Sequence, residues 1–260
     1  IDVQNNTGFD GSIIVSLSDD GEKCEFVSNS IPNHDFNSAP AMFANSVAEI
    51  TISVEMTTSP SHADSVTDLS LSYNNAIFLN GVKLDLLSAG CYGVGDGMIG
   101  CGESYFGYAW RYDPMSSNVN FGTDLHNAHT QPDGAYHYHG DPLAMYEDGV
   151  ESPVIGFAAD GYPIYGPYIN DNGIIREVLS SYTLKEGERE ALGTETDGLF
   201  PGGDYDGTFI EDYEYEDSLG DLDACNGMYN EDGDYGYYVT NAYPWVIGCF
   251  SGTLDQSFQK

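Results

Sequence analysis

At 260 residues the chain is long enough to bury a substantial core, and its apolar content of 41% is that of a folded protein rather than a solvated tail. Forty-two acidic residues face seven basic ones, a formal net charge of −35. That balance excludes nucleic acid and anionic membrane surfaces as natural partners, because the summed field repels them, and makes metal cations the expected ones.

The segments with regular patterning read as β-strands in chain order. "GSIIVSLS", "AEITISVEM", "AIFLNGVKLDLL", "SPVIGFAA", "GTFIEDYEYE" and "YGYYVT" are short, rich in β-branched or aromatic residues, and often alternating. Asn80-Gly81 lies between two apolar runs and predicts a tight hairpin. Short helical turns are expected at 103–110 and near the end of 180–192. No run is long and apolar enough to span a membrane. The expected fold class is all-β, a sandwich or distorted barrel with long loops and few short helices. It is read as a single domain over 1–260, with a strand layer in 1–60 packed on 61–260.

Five cysteines form no C-x-x-C pair. Together with the acidity and the Gly/Asn/Asp turns they predict an oxidising, extracellular or periplasmic compartment. Cys91 with Cys101 and Cys225 with Cys249 are the expected disulfides, with Cys24 left over. The start at Ile1 without Met is what a processed, secreted chain would show.

Four of the six histidines fall in one window, "DLHNAHTQPDGAYHYHGDPLAM", residues 124–145. On a strand, His137 and His139 share one face while Tyr136 and Tyr138 share the other. The "QPDG" run is a turn by composition and folds His129 back beside that strand. Three imidazoles with an open fourth position suit one zinc or copper ion. Two acidic loops are candidate Ca2+ sites, the first with Asp204 and Asp206, the second with Asp221 and Asp223, although neither has the spacing of an EF-hand. Lys185 and Arg189, among the few cations of the C-terminal half, are expected to neutralise internal carboxylates. Asp160, in "GFAADGYPIYG", is the candidate general base or the carboxylate that orients a metal-bound imidazole.

The string "NAHTQPDGAYHYHG" resembles the signature of the YHYH domain family. "SNSIPNH" (28–34), "GFAADGYPIYG" (156–166), "SYTLKEGER" (181–189) and two C-terminal segments (201–227, 243–253) resemble further family segments in the same order. The resemblance puts His34, His129, His137 and His139 on motif positions and leaves His62 and His126 off them. It thereby implies His34 as a fourth ligand, while the family itself implies no defined activity. Three readings follow. The first is a secreted protein with a mononuclear histidine site for copper or zinc, working as a metal-dependent hydrolase, lyase or copper oxidoreductase if it is an enzyme. The second is an extracellular structural module that self-associates with Ca2+. The third is a carbohydrate-active enzyme using Tyr/His acid–base chemistry.

Overall fold

The computed structural model describes residues 7–36, 41–94, 108–195 and 199–260. Seventeen strands are described: β1 Ile13–Leu17, β2 Lys23–Ser28, β3 Ile52–Thr57, β4 His62–Asp68, β5 Ala76–Phe78, β6 Lys83–Leu84, β7 Ala128–Thr130, β8 Tyr136–Tyr138, β9 Val154–Ala158, β10 Pro163–Tyr165, β11 Tyr168–Asp171, β12 Ile174–Glu177, β13 Tyr182–Leu184, β14 Tyr213–Tyr215, β15 Gly227–Tyr229, β16 Tyr235–Tyr238 and β17 Cys249–Gly252. They form an eight-stranded sheet in the order β15-β16-β10-β9-β5-β6-β8-β7, the three-stranded sheet β1-β2-β3, and three two-stranded sheets. The arrangement fits an all-β sandwich. Among the described residues no barrel closes and the helices are single three-residue turns, so the barrel alternative is not what forms.

The hairpin expected at Asn80-Gly81 joins β5 to β6, with Ala76 opposite Leu84. Its loop is one residue longer than a two-residue turn. Phe78 N–H donates to Val82 O, Gly81 N–H donates to Phe78 O, and Gly81 alone takes a positive φ, +85°. A two-residue type I′ turn needs positive φ at both central residues, and here Asn80 instead accepts the Val82 N–H on its side chain.

The short helix expected near the end of 180–192 does not form. The β13–β14 ladder stops at Leu184, and beyond it Arg189 N–H donates to Gly203 O and Tyr205 N–H donates to Gly187 O, so the end of the segment bonds a distant loop rather than its own preceding turn. Gly187 at φ +86° then turns the chain away. The helical turn expected at 103–110 falls mostly outside the described residues, as does the Cys91–Cys101 pairing. The Cys225–Cys249 disulfide is present and Cys24 is a free thiol, as expected.

Phe26, Val54 and Met56 of the three-stranded sheet join Ala76, Phe78, Ile155, Tyr237 and Phe250 in one apolar cluster. Cross-strand register sets the rows of the large sheet. One row runs Ala158, Ala76, Leu84, Tyr138, Ala128 across β9, β5, β6, β8 and β7. These five are buried in the apolar cluster. The adjacent row, on the opposite face, runs Phe157, Ile77, Lys83, His137, His129. A single register therefore buries the tyrosines on one side and sets two histidines and a lysine abreast on the other.

Candidate metal centre

The β7–β8 hairpin is built by the "QPDG" turn. Gly134 N–H donates to Gln131 O, Gln131 N–H donates to Ala135 O, and Asp133 Oδ1 accepts the Ala135 N–H. Pro132 presets the first turn residue, and Gly134 takes φ +91°. A side chain at 134 would strike Ala48 Cβ at 2.7 Å, so glycine is needed there for space as well as conformation. The turn places His129 directly opposite His137. His139 follows the strand, and its backbone N–H donates to Asn127 O at 2.8 Å.

The three imidazoles meet at their Nε2 atoms. His139 Nε2 lies 3.0 Å from His137 Nε2 and 3.0 Å from His129 Nε2. Among the described residues this is the one group of three or more His, Cys, Asp or Glu side chains whose ligand atoms could hold an ion. His137 and His139 are buried at 2% and 3% exposure, and His129 is half-buried. Burial holds all three below the usual imidazole range. His137 and His139 lie well below it, pushed further by their neighbours in the cluster.

At neutral pH these rings are therefore uncharged, the form that binds a metal. His129 Nδ1–H donates to Phe121 O at 2.6 Å, which leaves its Nε2 lone pair pointing into the cluster. Uncharged imidazoles cannot all satisfy one another at a shared point: each N···N contact needs a proton, and each proton serves one contact. A cation serves all three. Three nitrogens at zinc-like bond lengths in tetrahedral array stand about 3.3 Å apart; the two 3.0 Å contacts to His139 have to open by only a few tenths of an ångström, and all three ligand atoms lie within 4.8 Å of one another.

The structure does not bring His34 to this point. His34 lies on the tyrosine side of β8, where Tyr138 OH and His34 Nε2 are hydrogen-bonded and the His34 ring stacks on His126 at 3.7 Å between centroids. Burial depresses His34 to about 4. Because Tyr138 and His137 point to opposite faces, a histidine bound to the Tyr138 hydroxyl is held across the sheet from the triad.

Asp160 is likewise elsewhere, in the turn between β9 and β10. Strand order puts three spacings, about 14 Å, between β9 and β8. There Asp160 Oδ2 accepts Tyr237 OH at 2.6 Å and Gly252 N–H at 2.9 Å, and burial raises its carboxyl.

Three of the four candidate Ca2+ ligands have their carboxylates engaged within the protein. Asp206 pairs with Arg189 and accepts the Thr208 N–H. Asp221 takes a two-pronged bond from Arg176. Asp223 accepts the N–H groups of Cys225 and Gly227 and the Tyr235 hydroxyl. Asp204 is exposed, with its backbone bridged to Glu188. Of the two cations expected to neutralise carboxylates, Arg189 does so at Asp212 and Asp206, while Lys185 donates to the Glu211 carbonyl.

Four residues near the triad were missed by sequence reasoning. Lys83 Nζ donates to Gln131 Oε1 at 2.6 Å, and Gln131 Nε2 donates to Asp85 Oδ2 at 2.9 Å. Asp85 Oδ2 also pairs with Lys260. The available signal was the alternation "VKLDL", in which two charged residues share one face of an otherwise apolar strand.

The model of the family described as YHYH protein matches residues 53–252, which include the whole β7–β8 hairpin and its Tyr136-His137-Tyr138-His139 string. The chain belongs to the YHYH family. Its eponymous motif is therefore β8 and the residue after it, which together carry two of the three converging histidines, and its two tyrosines are core residues on the reverse face. "SNSIPNH", with His34, precedes the matched region. No curated protein and no solved structure is significantly similar to the chain.

Proposed function

We propose that this YHYH protein works in an oxidising compartment outside the cytoplasm and holds one copper or zinc ion on His129, His137 and His139. The fourth position is left to solvent or a small ligand. The observation that carries the reading is the convergence of three uncharged, buried Nε2 atoms, one of them with its tautomer set by the Phe121 carbonyl. The Cys225–Cys249 disulfide supports the compartment. A zinc ion there would supply Lewis acidity, and copper would supply one-electron redox chemistry. The protein's part is to keep the rings neutral, fix their orientation and exclude bulk water by burial.

Metal analysis of protein purified without chelator tests this. One equivalent of copper or zinc is expected, lost in His137→Ala and His139→Ala variants that retain the β-sheet circular dichroism of the parent. Calcium alone, with no transition metal, contradicts it.

A second reading, carbohydrate binding, is favoured by one separate observation. A cavity of about 380 Å³ is lined in part by Tyr165, Tyr168, Tyr229 and Tyr238, and much of the rest of its wall is carboxylate, a combination of rings for stacking and acceptors for sugar hydroxyls. Affinity electrophoresis in polysaccharide gels checks it: retardation lost in Tyr168→Ala supports this reading, and migration independent of polysaccharide rejects it.

A further inference from the structure

Two of the chain's seven cationic side chains, Lys83 and Lys260, stand beside the histidine triad. Lys83 is 6% exposed and lies next to His137 in the same cross-strand row. Its partner Gln131 follows β7, whereas Lys83 is on β6, and β8 runs between them. The lysine side chain therefore crosses β8 on the histidine face, over the strand that carries His137. Among the described residues its ammonium group makes one hydrogen bond, to a neutral amide, which leaves two donors over. With 42 acidic residues in the chain, an ammonium needing only neutralisation had carboxylates to choose from.

The hydrogen-bonded cluster around the triad contains two ammonium groups and one carboxylate, Asp85. Asp133, in the hairpin turn, and Asp124, which accepts the Tyr136 hydroxyl on the other face, add negative charge from the flanks. A divalent ion on three neutral imidazoles would leave this cluster net positive, with Lys83 and the ion repelling each other across His137. Such a juxtaposition is favourable when a negative ligand sits between the two charges.

We propose that the fourth ligand of the metal is a small exogenous anion of carboxylate size, held between the ion and the Lys83 ammonium, with Lys260 adding a weaker long-range attraction. The inference rests on the metal-site reading above and names the ligand class of that same site. The site then selects anions in a protein whose overall field repels them, so selectivity comes from a local, buried cation.

The test uses the full chain loaded with cobalt(II) as a spectroscopic probe and titrated with azide. Cobalt stoichiometry is measured first; if wild-type protein takes up no cobalt, the metal-site reading fails and this inference with it. With one equivalent bound, azide is expected to change the visible spectrum saturably. Lys83→Met is expected to weaken azide about tenfold or more at unchanged cobalt content, and Lys83→Arg to restore most of the affinity. Lys260→Gln, at a more exposed position, is expected to weaken it two- to threefold, which keeps the test decisive should methionine at 83 prevent folding. A cobalt-loaded protein that ignores azide overturns the inference, as does azide affinity within twofold of wild type in Lys83→Met or, where that variant does not fold, unchanged affinity in Lys260→Gln.

Discussion

Acidification should destabilise the metal-free protein through His34 in a way that one substitution removes. In the folded chain this ring is buried, stacked on His126 and hydrogen-bonded to Tyr138 OH, and it is depressed to about 4. In the unfolded chain it titrates near 6.5. Between these values the unfolded state binds a proton that the folded state does not, so stability falls as pH falls from 6.5 towards 4. At pH 5 the difference amounts to about 2 kcal/mol from this residue alone. The triad histidines shift in the same direction and add their own losses. His34→Gln removes the titration while keeping a side-chain amide able to bond the Tyr138 hydroxyl. Urea unfolding of both proteins, with chelator present, at pH 7 and pH 5 isolates the His34 share. Wild type is expected to lose about 2 kcal/mol more than the variant between the two pH values. Equal losses in the two proteins would mean that His34 takes up its proton alike in the folded and unfolded chain.

Other consequences follow from the same geometry. Because the triad is held below the imidazole range, protons should not compete for it at pH 6; dialysis at pH 6 and pH 8 is expected to leave the same metal content, and loss at pH 6 alone contradicts the burial argument. Asp160→Ala strands the Tyr237 hydroxyl and the Gly252 N–H, so it is expected to cost about 3 kcal/mol in denaturant unfolding with metal content unchanged. A fall in metal content without loss of stability would instead restore Asp160 to the site. Converting Cys225 and Cys249 together to serine frees a loop with a sequence separation of 24 and is expected to lower stability by about 3 kcal/mol; an unchanged urea midpoint argues against the bond's structural role.

The histidine site was legible where local rules govern it. Strand alternation put His137 and His139 on one face, and the "QPDG" turn returned His129 to the same row. Both are short-range consequences of backbone period and turn chemistry. What stayed illegible depends on strand order. Asp160 is only 21 residues from His139 in sequence, yet β5 and β6 insert between β9 and β8 and carry it away. His34 sits on a motif position, but which face of β8 it meets was decided by the Tyr138 hydroxyl. Lys83 and Lys260 reach the triad from sequence separations of more than 40 and 100 residues, so no local pattern tied them to it. The end of 180–192 failed as a helix because its backbone partners, Gly203 to Tyr205, lie about 15 residues downstream and took its hydrogen bonds.

The most direct test of the central claim is X-ray absorption at the metal edge of the protein as purified with its bound ion. A first shell with three imidazole nitrogens at about 2.0 Å and their outer-ring scattering is expected, reduced in amplitude in His139→Ala. A shell of oxygen ligands alone, or one left intact by His139→Ala, would contradict it.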